Sequence, residues 1–360
     1  MNIVQILWPV CELWYRIGCD STSGCHMSYP IPVAIRGSGR YRPRTEQPSA
    51  ALDGIYGQAE GWTEQAFGLH VRPIADRDET TSVMAAYACR DALAEAGWEA
   101  SEVDMLVGAC GVMEQPIPGT SALVQHELGL AHSGIHCFDV NMTCLSFINA
   151  LDLVSLAMRA GRSRRALIFS SDIASAGLDY AQPRASAIFG DGAAAVCVEA
   201  HDDPEGPAVL GALFRTFSSG KDTAQLRAGG TKIRIADGFE ALSDGAKFHM
   251  DPFAIFKSAG RHLPGVLDTI TAQAGLALDA IDVLICHQAS QPALEYLRHR
   301  LGGRPERVVD IFADHGNQIA ASLPNALHAA RQNGLWRPGG HALLLGTSAG
   351  ISLGAMVMRA

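Results

Sequence analysis

Charge is scarce in this sequence: Asp, Glu, Lys and Arg make up only 18% of its 360 residues, against 48% that are apolar. A chain of that length and balance can bury one large core or two fused ones. The formal net charge is −9, so the basic footprint of a nucleic-acid-binding protein is missing. No apolar run reaches the ~18 residues that a membrane span needs. The nine cysteines (Cys11, Cys19, Cys25, Cys89, Cys110, Cys137, Cys144, Cys197 and Cys286) form no CxxC pair and no Cys/His metal spacing. Their odd number in a long chain points to reduced thiols in a cytoplasmic protein, most of them small buried apolar residues. Short repeats and low-complexity tracts are lacking too. These absences leave a soluble globular protein with no sequence signature for a metal or redox cofactor.

The first 26 residues stand apart. Ile3 to Val10 is apolar, but Glu12 interrupts the run and no basic residue precedes it, which argues against a secretory signal. Met27 is a sensible alternative start, and residues 1–31 are read as an extension without assigned function. From Pro32 onward, β-type and helical runs alternate. Strands are expected over 33–39, 103–108, 135–140 and 166–170, and helices over 81–97, 119–129 and from Cys144 to Gly161. A buried helix between two apolar strands is the pattern of a covered, mainly parallel sheet. The second half repeats this grammar, with helices over 251–276, 291–301 and 317–333 and strands over 281–286, 307–311, 342–346 and 351–358. Two α/β halves follow, 32–200 and 201–360, which suggests an internal duplication. The Gly and Asp content of 201–247 predicts loops there.

Three residues stand where chemistry is usually placed. Cys144, in VNMTCLSFINALDLV, follows a strand at the first turn of a helix, where unpaired N–H groups are expected to lower a thiol's pKa. A buried structural cysteine is the competing reading. His287 directly follows the apolar strand IDVLIC, at a strand's C-terminal edge, where α/β proteins place working residues; a hydrogen-bonded structural histidine is the alternative. Asn317, in ADHGNQIAASLPNAL, opens a helix, and Asn is also a preferred N-cap. Together they offer a nucleophile and two groups able to stabilise a thioester enolate. The Gly-rich segment LLLGTSAGISLG offers a backbone N–H at Ala349 that pairs with the N–H of Cys144 as an oxyanion hole. The residues alone reach Cys-dependent acyl chemistry in a duplicated α/β fold.

These motifs resemble the β-ketoacyl-ACP synthase III family over about Val33 to Arg359. VAIRGSGRYRP, GLHVRPIADRDETTSVMA, DVNMTCLSFINAL, AIFGDGAAAVCV, FHMDPFAIFKSA, ICHQAS, HGNQIAASLPNAL and GTSAGISLGAMVMR match its segments in order. The resemblance implies a duplicated thiolase fold of five layers, αβαβα, and a homodimer. It implies that Cys144 takes an acyl group from an acyl-CoA or acyl-ACP, and that His287 and Asn317 assist loss of CO₂ from a malonyl thioester. The resulting carbanion then attacks the acyl-Cys. CoA or phosphopantetheine thioesters are the substrates, acyl carrier protein is a partner, and no cofactor is implied.

The sequence also departs from the family. Met142-Thr143 replaces the usual alanine-rich lead into the Cys, and Ser290 ends the HQAN motif. Trp62 matches a tryptophan that stacks on the CoA adenine, yet the Arg expected four residues later is Ala66 and another is Ala176. Both losses remove cationic contacts to CoA, which points to a specialised relative using an acyl-ACP or an unusual acyl-CoA. Glu114 lies in a loop that in this family crosses the dimer interface and in related olefin-forming enzymes carries a base; a solvated loop carboxylate is the plainer reading. Lys257, with Arg162, Arg164 and Arg165, is a candidate contact for an acidic carrier, or simply a solvated surface. Rival functions are acyl transfer or non-decarboxylative Claisen condensation on the same acyl-Cys, a non-catalytic partner subunit, and a cysteine hydrolase.

Overall fold

The computed structural model describes residues 29–300 and 304–360, so the extension expected over 1–31 lies, through residue 28, outside the described residues. Nine strands form the central scaffold: β1 (Ile31–Tyr41), β2 (Met105–Gly108), β3 (His136–Asp139), β4 (Arg165–Asp172), β5 (Gly192–Ala200), β6 (Ala208–Thr216), β7 (Val283–Cys286), β8 (His341–Ser348) and β9 (Ser352–Arg359). Their order is β7-β8-β9-β6-β1-β5-β4-β2-β3. Six main helices cover and separate them: α1 (Thr81–Ala96), α2 (Thr120–Glu127), α3 (Ser146–Arg159), α4 (Pro252–Ala274), α5 (Gln291–Arg300) and α6 (Ser322–Gln332).

The strand order reads as a palindrome. β1, β5, β4 and β2 of the first half correspond to β6, β9, β8 and β7 of the second, and the halves meet along β1 and β6 through Ile31 opposite Val209 and Pro32 opposite Ala208. Period-two burial explains the layering. On β4, Ala166 and Ile168 face a middle core, while Leu167 and Phe169 face outward onto α1. On β8, Ala342 and Leu344 face the same middle core, while Leu343 and Leu345 pack beneath α4. Helices α3 and α6 fill the space between the sheets with Phe147, Ile148, Leu151, Leu323 and Leu327. The result is helix, sheet, helix, sheet, helix: a duplicated five-layered thiolase fold.

Three sequence expectations are corrected. The sheet is mixed, not mainly parallel: β2 runs parallel to β3 and β4, and β7 to β8, but the other neighbouring pairs are antiparallel. A three-residue link such as that between β8 and β9 permits only an antiparallel return. The stretch expected as loops contains β6, a central strand, because its apolar AVLGALF core is short and flanked by Gly- and Asp-rich sequence. The strand expected over 307–311 survives only as a single parallel bridge between Leu284 and Val308 after a 3-10 turn. Elsewhere the helix ends are capped locally. Thr80 accepts the Val83 N–H and Gly97 (φ 67°) ends α1, and Asp251 accepts the Ala254 N–H at the start of α4. Among the described residues no helix is long and apolar enough to cross a membrane.

Candidate active site around Cys144

Beyond β3 the chain enters a 3-10 turn, Thr143–Leu145, that leads directly into α3. Thr143 takes the left-handed conformation (φ 48°), uncommon for a β-branched residue. Two local bonds hold it: Asn141 Oδ1 accepts the Thr143 N–H at 2.9 Å, and Ser146 Oγ accepts the Met142 N–H at 2.9 Å. The turn before α6 is built the same way. There Ile319 is left-handed (φ 51°), Asn317 Oδ1 accepts its N–H at 2.9 Å, and Ser322 Oγ accepts the Gln318 N–H at 2.9 Å. The two turns, NMTCLS and NQIAAS, superpose residue for residue in this bonding, with Ala320 in the place of Cys144.

Several contacts bring the site together. Asn317 Nδ2 donates to the Ala289 carbonyl at 3.3 Å, two residues past His287. The His287 N–H donates to Leu345 O at 2.9 Å, which continues the β7–β8 ladder to the site. A Cβ on Gly346 would lie 2.9 Å from Leu145 Cδ2 and 3.1 Å from His287 Cβ, so the neighbour of Cys144 and the imidazole stem meet across a residue without a side chain. Gly111 serves likewise: a Cβ there would meet Ile319 Cγ2 at 2.4 Å and the Thr143 carbonyl carbon at 3.4 Å. The backbone of Asn317 is fixed by the AIFGDGA segment, through its N–H to Ile188 O (2.7 Å) and its carbonyl from the Gly190 N–H (3.2 Å).

The electrostatics differ from the sequence expectation. Cys144 stays partly open to solvent, but dense packing, followed by the Asp172 carboxylate, pushes its thiol up to about 12, with only its own N–H acting in the other direction. The expected lowering by the helix end fails because Cys144 precedes α3 in the 3-10 turn and a carboxylate lies nearby. Burial pushes His287 down to about 4, so its imidazole is neutral at pH 7, and its buried Nδ1 has no hydrogen-bond partner among the described residues. Asp172 itself is fully buried and raised to about 7 by desolvation, against four backbone N–H bonds that favour its charge. Its Oδ1 accepts from Gly111 (2.8 Å) and Val112 (2.7 Å), and its Oδ2 from Ala320 (3.0 Å) and Ala321 (3.2 Å).

The remaining candidates are scattered. Ala349 occupies the tight turn between β8 and β9. Trp62 is half-buried, edge-on to Tyr56 and Phe67, with Ala66 and Ala176 exposed. Lys257 is exposed on the second turn of α4. Ser290 Oγ accepts the Ala293 N–H at 3.4 Å at the start of α5. Glu114 is half-buried, not a free loop carboxylate, and its Oε2 accepts the Ser82 N–H at 2.7 Å near the start of α1. Arg165 pairs with Glu102 and Glu199, whereas Arg162 and Arg164 are exposed. Sequence reasoning missed Asp172, Asn141 and the serine pair. The recurrence of Asn-x₄-Ser at 141–146 and 317–322 is the signal that carries Asn141 and the serines, whereas nothing in the sequence singles out Asp172. Three or more side chains placed to hold a metal ion are not found among the described residues.

Comparison with known proteins agrees with this architecture. Residues 138–216 match the family model described as 3-oxoacyl-[acyl-carrier-protein (ACP)] synthase III, and residues 271–360 match the one for its C-terminal part. The β-ketoacyl-[acyl-carrier-protein] synthase III of Bordetella petrii is 35% identical over 346 residues, covering 93% of this chain and 99% of that protein. The crystal structure of 3-oxoacyl-(acyl carrier protein) synthase III from Pseudomonas aeruginosa aligns with a TM-score of 0.82 at 29% identity, over 91% of this chain and 98% of that one. OleA from Xanthomonas campestris shares the fold, with a TM-score of 0.80 at 21% identity, over 92% of this chain and all of that one. Motif order, a five-layered duplicated fold and full-length identity to named relatives converge: this chain belongs to the β-ketoacyl-ACP synthase III family.

Proposed function

We propose that the protein is a condensing acyltransferase in which Cys144 carries the acyl group and His287 with Asn317 serves the condensation. In the first stage the Cys144 sulfur attacks an acyl thioester, and its proton leaves with the departing thiol. In the second a malonyl thioester loses CO₂, and its enolate carbon attacks the acyl-Cys carbonyl. The product is a β-ketoacyl thioester, and the Cys144 thiolate released takes a proton, consistent with a thiol whose resting form is neutral. A neutral His287 can donate from one ring nitrogen, and Asn317 Nδ2 has a second N–H beyond its bond to Ala289, so both can stabilise the enolate oxygen. Loss of CO₂ drives the condensation, so the chemistry calls for no metal or redox cofactor.

The observation that carries this reading is the duplicated turn. In its second copy, the N–H of Ala320, counterpart of Cys144, binds a carboxylate oxygen at 3.0 Å. The same backbone in the first copy is thereby suited to a thioester oxygen, with the Ala349 N–H as the second donor. The alternative of a non-decarboxylative condensation through Glu114 loses support, because that carboxylate is engaged by the Ser82 N–H. We place the enzyme in the cytoplasm as a homodimer, whose 113–118 loop, exposing Met113 and Ile117, fits an interface. All four lysines of the chain fall within 221–257, including exposed Lys257, which suits an acidic carrier protein on that face.

Intact-protein mass spectrometry after mixing with a panel of acyl-CoAs and acyl-ACPs, with peptide mapping, tests the reading. An acyl mass on Cys144 that is absent from Cys144→Ala is expected, and the fastest donor reveals chain length and carrier. A Cys144→Ala variant that turns over at the wild-type rate refutes it.

A further inference from the structure

Asp172 is a fully buried carboxylate to which the mechanism above gives no part, and its four hydrogen bonds connect pieces of backbone that carry the site. One oxygen holds the 111–112 loop, whose Gly111 lies against both the Thr143 carbonyl and Ile319. The other holds Ala320 and Ala321, the first residues past the Asn317 turn. We propose that Asp172 is a positioning residue that fixes the Asn317 turn relative to the Cys144 turn by occupying the oxygen-binding backbone of the second, nucleophile-free copy. This rests on the condensing reading above.

Gly111 is wedged between the two turns, so the separation of Cys144 and Asn317 depends on where this loop and the second turn sit. Backbone from both is fastened to the same carboxylate, and nothing else in the described hydrogen bonding joins residues 111–112 to 320–321. An Asn at this position accepts through only one of its two heads and turns an NH₂ toward the other N–H pair, so half of the tie is lost. A misplacement on the order of 1 Å at a reacting centre costs about 100-fold in rate. Acylation needs Cys144, its own turn and the Ala349 N–H, none of which Asp172 bonds, so it should be spared, while the step that needs Asn317 opposite the acyl-Cys should not. Protonation has the same effect as amidation: one oxygen becomes a donor and can no longer take its N–H pair. The titratable groups facing Asp172 are the Cys110 and Cys144 thiols, both raised far above neutrality by burial, and the second turn brings none. With the carboxyl near 7, condensation should therefore fall as pH drops through about 7, an inflection belonging to Asp172.

The test uses the full chain and Asp172→Asn, with Asp172→Ala as the second variant. Hydrogen exchange is measured at residues 111–112 and 320–321, acylation of Cys144 by single-turnover mass spectrometry, and condensation as kcat and KM across pH. Expected in Asp172→Asn are loss of exchange protection confined to those two segments and acylation within about threefold of wild type. Condensation kcat should be about 100-fold lower at near-constant KM, with the acid inflection gone. Wild-type kcat in a folded variant, or equal loss of acylation and condensation, overturns the proposal. If wild type itself takes no acyl group on Cys144, the functional reading fails instead, and the exchange data still decide whether Asp172 ties the two turns.

Discussion

Replacing Gly346 by alanine tests whether the site is held as tightly as its geometry says. The added methyl carbon would lie 2.9 Å from Leu145 Cδ2 and 3.1 Å from His287 Cβ, where carbon atoms normally stay about 3.5–4.0 Å apart. Something must yield by roughly half an ångström or more. Leu145 has no free retreat: it is fully buried, and its Cδ1 lies where a Cβ on Gly354 would be only 3.2 Å away. The shift is therefore shared between the Cys144 turn and the His287 loop. Overpacking of this kind costs about 1–3 kcal/mol, or a melting temperature lowered by about 1–4 °C in a chain of this size. The catalytic loss should be larger in proportion, about 10- to 100-fold in condensation, because the two displaced neighbours flank the nucleophile and the imidazole. Thermal denaturation and steady-state condensation rates on the same preparation check both figures. An alanine variant that melts and turns over like wild type refutes the inference that Leu145 and His287 are in fixed register across position 346.

Other outcomes follow from the same site. His287→Ala and Asn317→Ala should still form the acyl adduct on Cys144 but fail at condensation, read by mass spectrometry and product assay; loss of acylation in both, with folding intact, counts against a second-stage role. His287 also sets an acid sensitivity. Its folded-state value near 4 lies below its ordinary 6.5, so the unfolded chain binds the proton first and stability is lost as pH falls from about 6.5 to 4. The full effect is about 3 kcal/mol, and Asp172, raised to about 7, acts in the opposite direction over the whole of that range. The stability difference between wild type and His287→Gln isolates the histidine. It should shift by about that amount in favour of the variant between pH 7 and pH 4, and a pH-independent difference in chemical denaturation removes the assignment.

Much of this was legible in the sequence because long apolar periodicity and punctuation are local signals. The helices expected over 81–97 and 251–276 correspond to α1 and α4, which end at Gly97 and Gly275. Cys144, His287 and Asn317 stood out because each follows a strand or opens a helical run. What was not legible depends on distant partners. β6 is a strand because β1 and β9 lie beside it, whereas its composition is masked by the loops around it. The upward shift of the Cys144 thiol depends on packing and on a carboxylate 28 positions away in sequence. Glu114 looks solvated in its Pro-rich loop, and only folding brings it to the start of α1. Asp172 showed no signal of its own, since a carboxylate at a strand end acquires meaning only from the four amides that converge on it.

The paired turns have one more consequence. The turn around Ala320 has the same left-handed residue, Asn and Ser as the turn around Cys144, and it holds an oxygen against the amide of Ala320. The molecule thus displays, within one chain, the same backbone turn with a cysteine and with an alanine at its centre. The second copy is an internal standard for the first, a fixed record of how an oxygen sits on this turn.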